Sequence, residues 1–367
     1  MRDVGIGIVG YGLMGRAHAY GYTLAPRVRE LNVVPRLRVI SGRNEAAVAA
    51  AARRYGVEES TTDWREVVAR DDVDIVDVCT PPGAHAEVVE AAAAAGKAVV
   101  CEKPLAADYA SARAAAEAAR GVPNAIGFNY RRLPALALFH RLVQEGAVGD
   151  VLLWRGSWLS DEFLDPDIPF DWRFEKRMGA STFADLGAHL IDLALWTVGP
   201  IAEVSAQSET FTRTRSGREV DVGEASSALL RFEDGRVRGT LEVARVCARR
   251  PCDFSVEVNG TRGTLRFDYE RLNELWYGEA GDEGRFYGLR RIRAEHPSHP
   301  YAAEWWPIGQ GVGYGASFVN QAADLLERWP AARWDPDLAH GAQVQRVCEA
   351  MERAAAERRW LSVDEVE

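Results

Sequence analysis

The sequence is short of cysteine, of long apolar runs and of positive charge, and each shortage excludes a class of protein. Its five cysteines are an odd number and lack metal or redox spacing, so we interpret them as reduced thiols. No stretch approaches the roughly 20 consecutive apolar residues that span a bilayer. Chemistry-bearing residues begin close to Met1, which leaves no room for a cleaved leader. We therefore expect a cytoplasmic protein without a membrane partner.

The charge balance argues against nucleic acid as a partner. Lys and Arg number 44 against 54 Asp and Glu, for a net charge of −10. An acidic surface repels a phosphate backbone unless the chain forms a local basic stripe, and the sequence shows none. Hydrophobic residues at 47% and charged residues at 27% are typical of a globular protein that builds one or two cores.

Short apolar strands alternate with helices in the first half of the chain. The pattern predicts strands at 4–9, 37–40, 74–79 and 97–101 and helices at 15–30, 45–55, 85–95 and 111–120. Pro26 is expected to shorten or break the first of these helices. Strands separated by helices of this length indicate βαβ units and a parallel sheet. The first half is therefore expected to be a doubly wound α/β domain.

The second half is richer in strands. Helices are predicted at 133–144, 181–197, 318–328 and 338–357, and strands at 152–159, 225–232, 237–246, 254–258 and 264–269. Asp234-Gly235 and Asn259-Gly260 are hairpin signals, because these residues tolerate positive φ. The strands predict an antiparallel sheet with one face on the helices.

Two further features concern the domain organisation: a long connecting segment and a domain boundary. Residues 278–313 are rich in glycine and aromatic side chains, and we expect a long connection of the kind that often lines a site. The change of pattern places a domain boundary near Gly127. It separates an α/β domain at 1–126 from an α+β domain at 127–367.

A glycine-rich turn is the first candidate functional site. Gly10, Gly12 and Gly15 have the spacing Gly-x-Gly-x-x-Gly, directly after the first predicted strand. This spacing suits a tight turn, a close approach of backbone to pyrophosphate, and close helix–strand packing. The N–H groups at the helix start, including those of Leu13 and Met14, can then hold the pyrophosphate. A lone match could be structural, but its place at the first strand–helix junction predicts a dinucleotide site.

The end of the second strand bears on the choice between NAD and NADP. An acidic residue there would bind the 2′-hydroxyl of the adenosine ribose and repel a 2′-phosphate. This chain has Ser41-Gly42-Arg43-Asn44 instead. Ser41 can bond a phosphate oxygen, and Arg43 can pair with it or stack on adenine. The alternative is that Arg43 is an ordinary solvated loop residue. We expect NADP(H), with NAD(H) as the alternative.

Glu102-Lys103-Pro104 ends a predicted strand of the parallel sheet. Ligands of such sheets bind outside the carboxyl ends of the strands. A lysine in this position can contact a substrate oxygen. Taken alone, Lys103 could equally be an ordinary surface charge.

The helix predicted at 181–197 carries a second group of polar residues. It is apolar nearly all round, which indicates burial. Its polar exceptions, Asp185, His189 and Asp192, are spaced i, i+4 and i+7 and share one face. A carboxylate beside an imidazole can fix its tautomer and raise its basicity, as a general base requires. The alternative is a satisfied core pair, and metal binding is less expected because no third ligand is suggested.

Weaker candidates for substrate binding are polar or aromatic residues near the expected pocket. They are Asn129, Tyr130, Arg132, Trp172, Arg173, Tyr301 and Trp306. Aromatic faces with a few fixed hydrogen-bonding groups suit a neutral polyol or sugar ring. The pair His296-x-x-His299 lies on a proline-containing loop and is weak evidence for a metal, and we expect none.

The order of these motifs resembles that of the Gfo/Idh/MocA oxidoreductases. The resemblance covers essentially the whole chain and is carried by Gly10–Gly15, Thr80-Pro81, Glu102-Lys103-Pro104 and Asp185-x-Gly187-x-His189. It implies an N-terminal Rossmann domain and a C-terminal α+β domain whose large open antiparallel sheet often serves oligomerisation, so a homodimer or homotetramer is expected.

The same resemblance assigns roles to individual residues. It implies that Lys103, Asp185 and His189 are the catalytic trio and that Thr80, Pro81, His85, Glu102 and Lys103 join the glycine turn around the cofactor. Gly42 departs from the family pattern, because NAD-using relatives tend to have an acidic residue there. A shorter segment at 211–223 is a second departure, and it bears on an interface or the pocket rim.

Within the family, the chain is most similar to the sugar 3-dehydrogenases that include levoglucosan dehydrogenase. This closer similarity is carried by Phe128–Arg132, Trp172–Phe174, Asp268–Arg271, His299–Tyr301 and Trp306–Ile308. We expect hydride transfer between nicotinamide C4 and a secondary hydroxyl or ketone of a sugar, anhydrosugar or cyclitol. The alternatives are a redox-neutral glycosidase with tightly bound cofactor, a biosynthetic sugar ketoreductase, and a non-catalytic cofactor-sensing regulator.

Overall fold

The computed structural model describes residues 1–330 and 333–367 of the chain. The strands of the first third are β1 (Arg2–Val9), β2 (Val33–Ser41), β3 (Glu59–Thr61), β4 (Ile75–Val78), β5 (Ala98–Cys101) and β6 (Asn124–Ile126). The helices among them are α1 (Leu13–Val28), α2 (Glu45–Tyr55), α3 (Trp64–Ala69), α4 (His85–Ala94) and α5 (Tyr109–Ala118).

The rest of the chain contains fewer helices and more strands. The helices are α6 (Pro134–Gln144), α7 (Ala188–Thr197), α8 (Gly315–Glu327) and α9 (Leu338–Glu357). The longer strands are β7 (Val151–Leu159), β8 (Ile201–Glu209), β11 (Ala225–Phe232), β12 (Arg238–Ala244), β13 (Asp253–Gly260), β14 (Gly263–Asp268), β15 (Glu274–Glu279) and β16 (Arg290–Arg293). The two-residue strands are β9 (Thr214–Arg215), β10 (Arg218–Glu219) and β17 (Leu361–Ser362).

The first six strands form one parallel sheet in the order β3-β2-β1-β4-β5-β6. The short apolar strands β4 and β5 are buried along their whole length, as strands covered on both faces must be. Side-chain oxygens of Asn44, Asp63 and Asp108 accept hydrogen bonds from the first turns of α2, α3 and α5, which fixes where each helix begins. Helix α1 passes through Pro26 and ends at Val28. The prediction of a doubly wound α/β domain is confirmed.

The second sheet has the strand order β16-β15-β14-β13-β7-β12-β11-β8-β17. Its neighbours are antiparallel except β7 and β12, which run parallel, so the sheet is mixed and not wholly antiparallel as expected. The hairpin signal at Asp234-Gly235 is confirmed: it connects β11 to β12, with Gly235 at φ +73°. A hairpin also joins β13 to β14, but Asn259-Gly260 lies within β13, and residues 261–262 form the turn. The long segment at 278–313 contains the edge strand β16, which the sequence pattern did not indicate.

By their internal contacts, the described residues divide into two units. The first comprises Met1–Arg132 with Gly313–Gln343, and the second Leu133–Val312 with Val344–Glu367. Helix α8 therefore belongs to the first unit, where it packs against α1. A Cβ on Gly21 of α1 would lie only 2.6 Å from the carbonyl oxygen of Phe318, so glycine is what permits this close approach. None of the helices described in the structure has the length and apolar character needed to cross a bilayer.

Candidate active site

The glycine turn of the first unit has the shape that a dinucleotide requires. Gly10 adopts φ +111°, and a Cβ there would lie 2.6 Å from the carbonyl oxygen of Cys79. A Cβ on Gly15 would lie 2.0 Å from the carbonyl oxygen of Gly10. Gly12 is different, because no atom would lie within 4 Å of its Cβ. Two glycines therefore close the turn, while the third keeps the backbone open to a ligand.

Leu13 and Met14 are the first residues of α1. Gly12 caps this helix without a side-chain hydrogen bond, so the N–H groups of the first turn lack an intrahelical acceptor. Such groups, together with the helix dipole, favour a phosphate. Leu13 is 63% exposed, whereas Met14 packs on the apolar core of the unit. The residues at this turn fit a pyrophosphate.

The residues after β2 are placed as a short turn. Ser41 is buried and its carbonyl oxygen accepts a 3.0 Å hydrogen bond from the Gly10 amide. Asn44 caps α2 through its side chain. Arg43 lies exposed between them and makes no ion pair within the described part of the chain. Its guanidinium is therefore available to an anion.

His85 ties two turns of the first unit together. Its ring is buried, with Nδ1 2.9 Å from the carbonyl oxygen of Pro104 and Nε2 2.6 Å from that of Thr80. Burial lowers the pKa of this imidazole, so one of the two nitrogens donates. The ring nitrogens thus contact backbone on both sides. The segments bearing Thr80-Pro81 and Lys103-Pro104 are held at a fixed distance as a result.

His18 is the main functional residue of this unit that sequence reasoning missed. Its Nδ1 lies 2.8 Å from an oxygen of Asp77, and its Nε2 lies 2.9 Å from Oε1 of Glu102. All three side chains are buried. Burial opposes the charged ring, but the attraction of Asp77 and its hydrogen bond hold the pKa of His18 well above the usual value. Glu102 also accepts a 3.1 Å hydrogen bond from the Lys103 amide.

Through Glu102, this cluster is hydrogen-bonded to the backbone of Lys103. The one signal for it in the sequence is Asp77, a charged residue inside the apolar strand β4. His18, Asp77 and Cys79 are the group among the described residues whose ligand atoms lie within 4.8 Å of one another. Both nitrogens of His18 already bind carboxylates, so hydrogen bonds on both sides hold the ring within the cluster.

In the second unit, Asp185 lies in a π-helical turn. The segment Phe183–Gly187 forms this wider turn and leads into α7, whereas the sequence predicted one uniform α-helix at 181–197. Such turns occur often at functional sites, because the extra residue changes the direction of the side chains. His189 and Asp192 follow in α7 and are buried, as predicted. The His189 ring lies 5.5 Å from that of Trp158.

Two arginines face the carboxylate of Asp185. Arg245, which directly follows β12, is buried and donates to Asp185 and, at 2.9 Å, to Glu162. Arg173 lies 4.0 Å from the same carboxylate of Asp185. Sequence reasoning considered only the helical neighbours of Asp185. It missed Arg245 because the pair is separated by 60 residues and no local pattern connects them.

Arg245 is itself held firmly. Its amide donates to the carbonyl oxygen of Glu224 at 2.8 Å, and its carbonyl accepts from the amide of Phe163 at 2.8 Å. Its guanidinium lies 4.5 Å from the centre of the Phe163 ring. Glu224 forms a fully buried ion pair with Arg215 at 2.8 Å. These contacts fix the backbone on both sides of the guanidinium that binds Asp185.

The weaker candidates of the first unit are engaged in its interior. Asn129 donates to the Ser317 hydroxyl at 2.7 Å, and Arg132 pairs with Asp324 at 3.1 Å. The Tyr130 ring lies 5.8 Å from that of Tyr314. Asn129, Tyr130 and Arg132 are buried.

The weaker candidates of the second unit differ in exposure. The guanidinium of Arg173 lies 4.6 Å above the Trp172 ring, and both residues are half-buried. Tyr301 is half-buried and adopts φ +61°, an uncommon backbone conformation for a bulky residue. Trp306 is 60% exposed.

Taken together, these features define a class of protein. A parallel sheet in the order 3-2-1-4-5-6 with a glycine turn before α1 is the architecture of a dinucleotide-binding domain. The second unit supplies the buried His189, four residues after Asp185 in the chain. This is a nicotinamide-dependent oxidoreductase. Two family models match the chain: "Oxidoreductase family, NAD-binding Rossmann fold" at residues 4–130 and "GFO/IDH/MocA C-terminal domain" at residues 137–266. The chain belongs to the Gfo/Idh/MocA family, which confirms the resemblance.

The chain is similar to known proteins along its whole length. The chain is 35% identical to the levoglucosan dehydrogenase of Pseudarthrobacter phenanthrenivorans over 390 residues, covering 100% of both. It is 29% identical to the inositol 2-dehydrogenase of Rhizobium meliloti, covering 73% of this chain and 76% of that one. A solved structure of levoglucosan dehydrogenase in complex with NADH and levoglucosan superposes with a TM-score of 0.96 at 35% identity, covering 99% of this chain and 100% of that one.

Proposed function

We propose that this chain transfers hydride between a nicotinamide cofactor and a secondary hydroxyl or ketone of a neutral sugar, anhydrosugar or cyclitol. The observation that carries the proposal is the buried His189 of α7, which follows four residues after Asp185, whose carboxylate Arg245 binds. The names of the relatives support the substrate class. Half-buried aromatic rings such as Trp158 and Trp172 suit the faces of a sugar ring.

Each residue of the trio has a role that follows from its chemistry. A secondary alcohol is too weak an acid to ionise near neutral pH, so His189 accepts its proton as the carbon is oxidised. Lys103 donates a hydrogen bond to the same oxygen and stabilises the negative charge that develops there. The bound nicotinamide supplies the acceptor for the hydride. Asp185 orients the imidazole of His189.

The proposed cofactor is NADP(H). Because residue 42 is glycine, the turn lacks the carboxylate that would repel a 2′-phosphate. The exposed Arg43 supplies a cation at the same turn. Ser41 is buried, so Arg43 carries more of this argument than Ser41 does. The turn around Gly12 would hold the pyrophosphate.

The first test is an initial-rate screen of NADP⁺ and NAD⁺ against pyranoses, 1,6-anhydroglucose and inositols. We expect one sugar class to give a clear rate, with NADP⁺ preferred. If no sugar gives a detectable rate while the cofactor still binds, the result would contradict a sugar dehydrogenase and favour a ketoreductase or a redox-neutral glycosidase. Copurification of a tightly bound cofactor would favour the glycosidase.

The second test is Lys103→Ala. We expect kcat to fall by roughly 100-fold or more, because a positioned proton donor is lost, while cofactor affinity measured by fluorescence changes little. Lys176→Ala is the matched control, because Lys176 is exposed and pairs only with Glu352 among the described contacts. Retention of most activity by Lys103→Ala would contradict the mechanism.

We further propose that a second copy of the chain covers the outer face of the large sheet. Helices α6 and α7 pack on the opposite face. The outer face carries a groove of about 730 Å³ lined by residues of β7, β8 and β11–β14, with the charged Arg155, Glu242, Glu257 and Arg266 among small and polar side chains. Leu229 of β11 lies there and is 52% exposed. The five free cysteines support a reducing, cytoplasmic location.

A further inference from the structure

Tyr11 and Gly42 occupy the same space. Tyr11 is the residue between the first two glycines of the turn, and Gly42 follows β2. A Cβ on Gly42 would lie 2.1 Å from Cδ1 and 2.2 Å from Cε1 of the Tyr11 ring. Carbon atoms never approach so closely without bonding, so any side chain at position 42 must displace the ring.

The backbones of the two residues cannot separate to relieve this clash. The Gly10 amide donates to the Ser41 carbonyl at 3.0 Å, and the Gly42 amide donates to the Thr61 carbonyl at 3.1 Å. The Tyr55 hydroxyl donates to the Tyr11 carbonyl at 3.0 Å. The Tyr11 ring also packs on the core of the first unit. A side chain at position 42 would therefore have to rotate the ring out of its place.

The end of β2 is where chains that bind NAD carry a carboxylate for the ribose 2′-hydroxyl. In this chain the Tyr11 ring fills the volume of that side chain, and the nearest unpaired charge on the turn is the exposed Arg43. An aromatic ring is uncharged and does not repel a phosphate. The turn thus has no room for a carboxylate at position 42 and has an accessible guanidinium at position 43.

We propose that Tyr11 and Gly42 act together as one selectivity element, in which the ring excludes an acidic residue at position 42 and leaves the ribose 2′ position to Arg43. This inference rests on the NADP(H) preference proposed above and names the residue that enforces it. The expected consequence is that no substitution at position 42 inverts the preference for NADP(H) over NAD(H) while Tyr11 is present.

The test measures dissociation constants for NADPH and NADH by cofactor fluorescence, without a sugar. The variants are Gly42→Asp, Tyr11→Ala and the two combined. We expect Gly42→Asp alone to weaken the binding of both cofactors by roughly tenfold or more, because the carboxylate displaces the Tyr11 ring. The preference for NADPH over NADH should not be inverted. The combined variant is expected to bind NADH more tightly than NADPH.

Asn44→Asp is the matched control. It adds the same charge two residues away and still caps α2, since Asp is as good a cap as Asn. We expect it to weaken NADPH only slightly and to leave the order of affinities unchanged. Gly42→Ala separates the steric clash from the charge. It should weaken the binding of both cofactors equally, and adding Tyr11→Ala to it should restore the affinity for both. Thermal unfolding without cofactor checks that each variant is folded.

Inversion by Gly42→Asp alone would overturn the inference, because the ring would then exclude nothing. Failure of the combined variant to invert the preference would overturn it as well. A wild-type chain that prefers NADH contradicts the proposed cofactor and this inference with it. Sugar oxidation by wild type is measured separately, so its absence contradicts only the proposed substrate class.

Discussion

At the scale of single residues, His18 carries the largest electrostatic consequence. Its ring contacts both Asp77 and Glu102, which are buried beside it, and in its charged form it offsets one of their two negative charges. Removal of one partner from a buried ion pair costs about 3–5 kcal/mol, because the remaining charge has no compensation. We expect His18→Gln to lower the free energy of unfolding by this amount in urea titrations. His296→Gln, at an exposed position, should change it by no more than about 0.5 kcal/mol.

The contribution of His18 depends on pH in a defined direction. Its pKa in the folded protein lies well above the usual 6.5, so folding favours the protonated ring. The stabilisation is complete below the unfolded pKa and is lost as pH rises through the folded pKa. The difference between wild type and His18→Gln should therefore shrink as pH is raised above about 6.5. A difference that stays constant to pH 9 would contradict a charged His18.

Arg245 has its effect through Asp185. Arg245→Met removes the buried guanidinium that binds this carboxylate, and we expect kcat/KM to fall by roughly tenfold or more. Arg245→Lys should recover part of the loss, because it keeps the charge but not the two-pronged geometry. Glu162→Gln is the control: it removes the other carboxylate of Arg245 and should leave kcat/KM within about twofold. Equal losses in Glu162→Gln and Arg245→Met would contradict the role given to Asp185.

At the scale of elements, the contact between α1 and α8 depends on one missing side chain. Gly21→Ala would place a Cβ 2.6 Å from the Phe318 carbonyl and force the two helices apart. We expect a loss of about 1–3 kcal/mol, as for other overpacked sites, seen as a lower Tm. Gly121→Ala is matched, since no atom lies within 4 Å of its Cβ position, and should leave Tm nearly unchanged. An unchanged Tm for Gly21→Ala would show that the helices are not in close contact.

The elements were largely predictable because their burial patterns are local. Helix α2 and helix α9 were predicted at their observed bounds, since each is amphipathic over its own length. The π-helical turn at Phe183–Gly187 was not, because the insertion of one residue into a turn leaves an apolar helix pattern unchanged. The edge strand β16 was missed for a related reason: its sequence, Arg290–Arg293, is almost wholly charged.

The site was predictable only in part. The glycine turn was predicted from its spacing, whereas Lys103, Asp185 and His189 were predicted as a catalytic trio from the family resemblance, and their roles stay predictions. The residues that hold them were not, because His18 reaches Asp77 and Glu102 across 59 and 84 residues. The same applies to the steric relation of Tyr11 to Gly42. Such contacts are made by tertiary packing, and a single sequence does not encode them in a short pattern.

At the scale of the whole molecule, we expect the outer face of the large sheet to determine assembly. Leu229 pairs in register with Ser205 and Thr240 on neighbouring strands, so its side chain is in the middle of this face. We expect Leu229→Glu to dissociate the oligomer in sedimentation experiments, because it buries an uncompensated charge at the contact. Leu164→Glu is the control at an exposed loop position of similar exposure, 46%. A wild-type chain that sediments as a monomer would contradict the proposed assembly.

The return of Gly313–Gln343 to the first unit has a consequence for synthesis in the cell. About 180 residues separate the two pieces of the cofactor-binding unit, which a ribosome adds in the order of ten to forty seconds. During that interval the nascent nucleotide domain lacks α8, and the face of α1 around Gly21 has no cover. This unit is therefore complete only once residue 343 has been added, although its synthesis begins first, and a chain terminated before Gly313 would lack α8.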